Sequence, residues 1–169
     1  MFGRWLRGDT APESAGADAL RRSIQEHLPS ADSETVTVVT SMAGLLGAVA
    51  YADRNYSAAE EARVREELAR VSGMTPVGID AICGALREHI VEVSTVQIPR
   101  YARALVELAD VELRREVLSA LIDLAAADSS ISVAETNLLR QITKSLGLSQ
   151  NDYVELQGRH RQHLDSLKR

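Results

Sequence analysis

The sequence predicts an all-α fold, a single bundle of about seven to eight helices made of two similar halves. Three observations support this fold class. Apolar residues recur at spacings of three and four along most of the 169 residues, which is the period of an amphipathic helix. Two Ser-x-x-Glu patterns are typical of helix starts. The third observation is an internal repeat, which defines the two halves.

The repeat relates residues 50–60 to residues 125–135, at an offset of 75 positions and without a gap. Each copy reads Ala-x-Ala-Asp, two further residues, a hydrophobe, and then Ser-x-x-Glu. It therefore predicts a helix, a turn and a second helix in each half. The identical pairs between residues 46 and 65 and their counterparts are Leu46/Leu121, Ala50/Ala125, Ala52/Ala127, Asp53/Asp128, Ser57/Ser132, Ala59/Ala134, Glu60/Glu135 and Arg65/Arg140.

The helices are assigned in order from their start and stop residues. Pro29 ends the first helix, Pro76 opens the fourth, and Gly73 and Gly147 each follow a helix end. Five β-branched residues at 35–39 suit a strand, but the repeat and the long apolar face after them favour a helix. The predicted ranges are 18–28, 32–52, 57–71, 76–90, 99–108, 111–127, 132–147 and 149 onward.

These assignments set the domain organisation. Residues 1–16 are predicted to be a flexible N-terminal segment, and residues 17–169 a helical domain. Its halves are predicted at about 33–93 and 97–165, with a hinge at 94–98.

Composition excludes several classes of protein. The formal net charge of −5 argues against a nucleic-acid binder. The single cysteine, Cys83, excludes an intramolecular disulfide and suits a reducing cytoplasm. No apolar run is expected to approach the roughly 20 residues of a transmembrane helix, and the start lacks the long apolar stretch of a signal peptide. We therefore predict a cytoplasmic protein.

The first eight residues combine large hydrophobes with arginines. Phe2, Trp5 and Leu6 stand beside Arg4 and Arg7, a mixture that suits weak contact with an anionic membrane surface. The alternative is a frayed terminus, or one folded back on the domain. The first reading predicts peripheral association with the inner face of the membrane.

Four carboxylates repeat with the motif. Glu60 and Glu135 follow the spacing of the apolar face of the second helix in each half, and Asp53 and Asp128 that of the first. All four are therefore expected at the rim of the core. Because burying an unpaired charge is costly, they need hydrogen-bond donors, cations or a metal there.

The twofold pattern of Ala-x-Ala-Asp and Ser-x-x-Glu resembles the TerB-like tellurite-resistance family, over roughly residues 33–160. The resemblance implies an all-helical bacterial domain of two similar halves, also found in a DnaJ-like co-chaperone. It implies a role in tellurite and general stress resistance beside calcium-binding partners near the inner membrane. It also implies a divalent-metal site at Asp53, Glu60, Asp128 and Glu135.

This chain departs from the family pattern at one position of each copy. Family members usually have Gly after the Asp, whereas this chain has Arg54 and Ser129. Glycine there provides a positive φ. In the first copy, Asn55 is expected to adopt the left-handed conformation instead.

The residues leave three readings of the four carboxylates open. Capping boxes and local hydrogen bonds account for Ser57, Glu60, Ser132 and Glu135 without any ion. All-oxygen ligands from two related turns would suit calcium, magnesium or manganese. Paired acids also occur in enzymes, but by themselves they define no reaction. Non-catalytic readings are therefore favoured.

Other candidate residues are read as structural. His160 and His163 have a spacing that can chelate zinc, but no third ligand accompanies them in sequence, so a solvated basic end is favoured. Cys83 lies on an apolar helix face and is predicted to be a buried structural thiol.

Two functional hypotheses follow. The first is a stress-associated scaffold that binds a divalent metal through the acidic turns. The second is a metal-free protein-interaction module, in which an apolar groove between the halves binds a partner helix. Both predict a protein partner, and the sequence does not decide the oligomeric state.

Overall fold

The architecture is built around one apolar helix, which the other helices surround. The computed structural model describes residues 15–127 and 131–167, with side chains up to residue 160. These ranges contain α1 Ala15–His27, α2 Ser33–Ala50, α3 Ala58–Leu68, α4 Pro76–Glu88, α5 Ile90–Thr95, α6 Ile98–Leu108, α7 Val111–Ala126, α8 Val133–Ser145 and α9 Gln150–Leu167.

The predicted all-α bundle is confirmed for the described part of the chain, with one additional short helix. The predicted helix through residue 90 ends at Glu88, and His89 separates it from the six-residue helix α5. The predicted hinge at 94–98 is therefore shorter than expected. Only Val96 and Gln97 connect α5 to α6.

Helix α2 is buried on nearly all sides from residue 39 to residue 50. It packs against seven other helices, α1 and α3 to α8. Glycines allow two of these contacts to be close. A Cβ atom built on Gly44 would lie 2.2 Å from Cε2 of Tyr101 in α6, and one on Gly47 would lie 3.0 Å from Leu86 Cδ2 in α4. Because Gly44 and Gly47 carry no side chain, an aromatic and an aliphatic side chain of neighbouring helices can contact the backbone of α2.

By length and composition, α2 also meets the criteria for a membrane span, contrary to the expectation from sequence. Its 18 residues have a mean hydropathy of 1.3, but 67% of them are buried inside the bundle. Core helices of soluble proteins pass the same criteria, so this observation is weak evidence for a membrane span.

The motif helices begin as predicted. Ser57 and Ser132 are the N-caps of α3 and α8, and both form a complete capping box. In the second copy the Glu135 backbone N–H donates to Ser132 Oγ at 3.1 Å, and the Ser132 N–H donates to Glu135 Oε2 at 2.8 Å. Each box satisfies two backbone donors that the helix itself leaves unpaired.

Removing the second cap should destabilise the protein. We expect Ser132→Ala to lower the free energy of unfolding by about 1 kcal/mol, because the N–H of Glu135 loses its acceptor. Denaturant unfolding monitored by circular dichroism measures the change. Ser145→Ala, an exposed position in the last turn of α8, is the matched control and should change it by less than about 0.5 kcal/mol. An unchanged midpoint for Ser132→Ala would refute the cap.

Candidate functional site

The two repeated glutamates lie at the N-termini of α3 and α8, where each closes a capping box. Glu60 Oε2 accepts from the Ser57 N–H at 2.6 Å, and Glu135 Oε2 accepts from the Ser132 N–H at 2.8 Å. Both side chains are partly buried, as expected at the rim of the core. One oxygen of each carboxylate is therefore used within its own helix.

The repeated aspartates were expected on the apolar face of the preceding helix, and this is wrong for Asp53. Helix α2 ends at Ala50, and Tyr51 at its C-cap has left the helical conformation with φ −98° and ψ 9°. Asp53 consequently lies in the turn and is exposed, with Oδ1 accepting from the Asn55 N–H at 3.0 Å. Asp128 and Ser129 of the second turn lie outside the described residues.

Arg54, rather than the expected Asn55, adopts the left-handed conformation of the first turn, with φ 67°. The turn thus keeps a positive φ although a bulky side chain replaces glycine. The guanidinium carbon of Arg54 lies 5.8 Å from the centroid of the Tyr51 ring. A cation–π contact of this kind stabilises the arginine over the ring and offsets part of the backbone strain.

The predicted metal residues are not brought together within the described ranges. Among residues 15–127 and 131–160, whose side chains are described, no three side chains from His, Cys, Asp and Glu form a group that could hold an ion. Asp128 is outside these ranges, so the predicted set of Asp53, Glu60, Asp128 and Glu135 stays a prediction.

A groove runs between the two halves, with α3 of the first half on one side and α7 of the second on the other. Met42 of α2 forms part of its floor, and its volume is about 360 Å³. We call it the interhalf groove; it is lined by Met42, Glu67, Arg70, Val71, Leu113, Glu116, Val117, Ser119, Ala120 and Asp123. Its walls combine apolar side chains with three carboxylates and one cation, whereas an apolar groove was expected.

Glu67 is the most buried carboxylate of the interhalf groove. Only 9% of the residue is exposed. Burial raises the pKa of its side chain, Asp123 and Glu66 raise it further, and Arg70 lowers it. Arg70 Nη1 lies 3.4 Å from Glu67 Oε2, but the Arg70 side chain is 70% exposed, so the pair is weak. The sequence carried a signal for this burial that was not used: Glu67 lies three positions after Val64, on the apolar face of the same helix.

Asp123, at the edge of the groove, is bound by the last helix. His160 Nδ1 lies 2.8 Å from Asp123 Oδ1, and the His160 side chain is 16% exposed. The expected solvated basic end is therefore wrong at His160, because α9 packs along α7. The side chain of His163 lies outside the described residues, so the zinc pair is untested. Cys83 is buried as predicted, and burial raises the pKa of its thiol to about 11.

Comparison with known proteins identifies the family. No curated protein and no solved structure was found to match the chain. The family model described as "Tellurite resistance protein TerB" matches residues 39–158, a range that includes α3, α7 and both capping boxes. Since this match covers well over half of the 169 residues, the chain belongs to the TerB family.

Proposed function

We propose that this chain is a non-catalytic, stress-associated scaffold of the tellurite-resistance type, and that its interhalf groove binds an amphipathic helix of a partner protein. The partner helix would place a basic side chain beside Glu67 and apolar side chains against the groove walls. The observation that supports this proposal is the burial of Glu67 with so weak a cationic partner. In this form the function needs no metal.

The energetics of Glu67 favour an external cation. A buried carboxylate is stable only when hydrogen bonds or a close cation compensate for its lost hydration. Arg70 compensates poorly, since it is mostly in solvent. A lysine or arginine of a bound helix would be shielded from water in the groove, where the attraction between charges is stronger. The neighbouring carboxylates Glu116 and Asp123 would draw the same basic segment.

Site-specific photo-crosslinking tests partner binding. Leu113 in the groove wall and Val77, which is 67% exposed on α4, are each replaced by p-benzoylphenylalanine in the full chain, and the protein is irradiated in the host cell. We expect a discrete protein adduct from position 113 and none from position 77.

Charge variants then assign the adduct to the groove. Glu67→Gln should lower its yield about tenfold or more, because losing one member of a buried charge pair costs 2–5 kcal/mol. Glu112→Gln is the matched control, since it removes the same charge from an exposed position of α7 that does not line the groove. Equal adducts from positions 113 and 77, or an adduct indifferent to Glu67→Gln, would contradict the proposal.

The free protein should be more stable without the Glu67 charge at neutral pH. A raised pKa in the folded state means that the folded protein binds this proton more tightly than the unfolded chain does. The penalty of Glu67 is therefore present above its folded pKa and absent below the ordinary value of about 4.3. We expect Glu67→Gln to raise the unfolding midpoint at pH 7 and to have little effect near pH 4. If Glu67→Gln lowered the unfolding midpoint equally at pH 7 and near pH 4, the buried charge of Glu67 would not be the cause of the change.

Divalent-metal binding at the repeated turns is a second candidate, supported by the conformation of Arg54. Strained backbone in non-glycine residues often occurs at functional sites, and this strain lies directly beside Asp53. An oxygen of Asp53, with Asp128 and the remaining oxygens of Glu60 and Glu135, would supply the hard ligands that calcium, magnesium or manganese prefer. A glutamate can cap its helix with one oxygen and bind an ion with the other.

Thermal unfolding of metal-stripped protein tests this candidate. An ion at 100 times its dissociation constant stabilises the native state by about 2.7 kcal/mol, which corresponds to a rise of about 5–10 °C for a chain of this size. We expect millimolar calcium, magnesium or manganese to produce such a rise in the wild type and in Glu112→Gln, but not in Asp53→Asn with Asp128→Asn. No rise with any of the three ions would leave the glutamates as helix caps alone.

Location and membrane contact belong to the same proposal. The scaffold is proposed to act in the cytoplasm without nucleic acid, with weak contact to the inner face of the membrane through Phe2, Trp5 and Leu6. These three residues lie outside the described ranges. The proposed membrane contact is supported only by the composition of this segment, in which aromatic and basic residues alternate.

A further inference from the structure

A second cavity lies between α1, α2 and α6, and it shares no lining residue with the interhalf groove. Its volume is about 280 Å³, near the lower limit of pockets that bind small molecules. Its polar lining includes Arg21 of α1, Thr37, Thr40 and Ser41 of α2, and Tyr101 of α6. A cavity of this size that is lined mostly by polar residues suits a small metabolite.

Arg21 provides a positive charge that hydroxyl groups position. Its Nη1 donates to Thr37 Oγ1 at 2.8 Å and its Nη2 donates to Ser33 Oγ at 3.3 Å. These bonds use two of the five N–H donors of a guanidinium. Because a hydroxyl group is neutral, the bonds fix the side chain without cancelling its charge. An arginine held in this way is suited to bind a carboxylate or phosphate group.

Tyr101 contributes a buried hydroxyl. The residue is 5% exposed, and its hydroxyl has no hydrogen-bond partner among the described residues. Burial raises the pKa of Tyr101 to about 12, so the hydroxyl keeps its proton at physiological pH. A buried donor without an acceptor costs about 1–3 kcal/mol. The hydroxyl oxygen has almost no accessible surface, so an anionic oxygen in the cavity would supply that acceptor after a small shift of the lining side chains.

Arg21 and Tyr101 favour a ligand that accepts hydrogen bonds, whereas the hydroxyl groups of α2 favour one that donates them. Thr37, Thr40 and Ser41 donate their protons to the backbone oxygens of Ser33, Val36 and Thr37, at 2.9, 2.6 and 2.8 Å. The oxygens of Thr40 and Ser41 therefore remain as acceptors, and Thr37 Oγ1, which already accepts from Arg21, keeps one lone pair. The carboxylate of Asp18, which also lines the cavity, is a further acceptor. A well-matched ligand would carry a hydrogen-bond donor in addition to its anionic group.

We propose that this cavity binds a small oxyanion that also carries a hydroxyl or amino group, with its carboxylate or phosphate on Arg21 and Tyr101 and its donor on the hydroxyl oxygens of α2. The site is independent of partner binding in the interhalf groove, so either proposal can fail alone.

Ligand binding is tested on the full chain by thermal unfolding and calorimetry with two matched pairs of probes. Malate and succinate are both dicarboxylates and differ by one hydroxyl group. Glycerol 3-phosphate and inorganic phosphate form the second pair, in which the anionic group is a phosphate and only the first probe adds the hydroxyl groups of glycerol. We expect saturating malate or glycerol 3-phosphate to raise the unfolding temperature by about 5–10 °C, and its simpler counterpart to bind about tenfold more weakly. No rise with any of the four probes would overturn the proposal.

One pair of variants assigns the binding to the cavity. Arg21→Gln should weaken binding at least about tenfold, while Arg22→Gln, the adjacent exposed arginine of α1, should leave it unchanged. Equal effects of these two substitutions would indicate nonspecific charge attraction and overturn the site.

Tyr101→Phe separates a ligand role from a structural one. The substitution keeps the ring that packs on Gly44 and removes only the hydroxyl. We expect the free variant to be at least as stable as the wild type, because an unsatisfied buried donor is gone, and its affinity for malate or glycerol 3-phosphate to fall about five- to tenfold. A destabilised free protein with unchanged affinity would show that the hydroxyl serves the fold, and would overturn its assignment to the ligand.

Discussion

The close packing of α2 inside the bundle is the constraint on which the rest of the structure depends. A helix buried on all sides must have small residues wherever a neighbour approaches its backbone. Gly44 receives the ring of Tyr101 and Gly47 receives the side chain of Leu86. Together with its alanines, these glycines let α2 contact seven other helices of the described chain, and its apolar side chains contribute to the buried surface that stabilises the fold.

Both proposed binding sites take part of their shape from α2. Thr37, Thr40 and Ser41 on one side of this helix line the small cavity, and Met42 lines the interhalf groove. The chain leaves α2 at Ala50 and enters the first acidic turn, in which Arg54 is strained. A buried central helix thus lines the small cavity and the interhalf groove and leads directly into the acidic turn. This arrangement suits a scaffold, because sites on rigid elements keep their geometry when a partner binds.

The sequence predicts features that are set by local interactions. The capping boxes at Ser57 and Ser132 and the left-handed glycines Gly73 and Gly147 lie where the pattern placed them, since each depends on residues within one turn. The predicted end of α2, at residue 52, lies two residues beyond the observed end at Ala50. For this reason Asp53 was expected on a helix face. Glu67 and the contact between His160 and Asp123 were missed, because the first depends on α7 and the second joins residues 37 positions apart.

The most direct test of the central role of α2 is equilibrium unfolding of Gly44→Ala beside Gly84→Ala. A Cβ at position 44 meets the Tyr101 ring, whereas nothing lies within 4 Å of one at position 84 in α4. We expect Gly44→Ala to lower the free energy of unfolding by about 1–3 kcal/mol through overpacking. Gly84→Ala should raise it by about 0.5–1 kcal/mol through helix propensity. A Gly44→Ala protein as stable as the wild type would contradict close packing of α2 against α6.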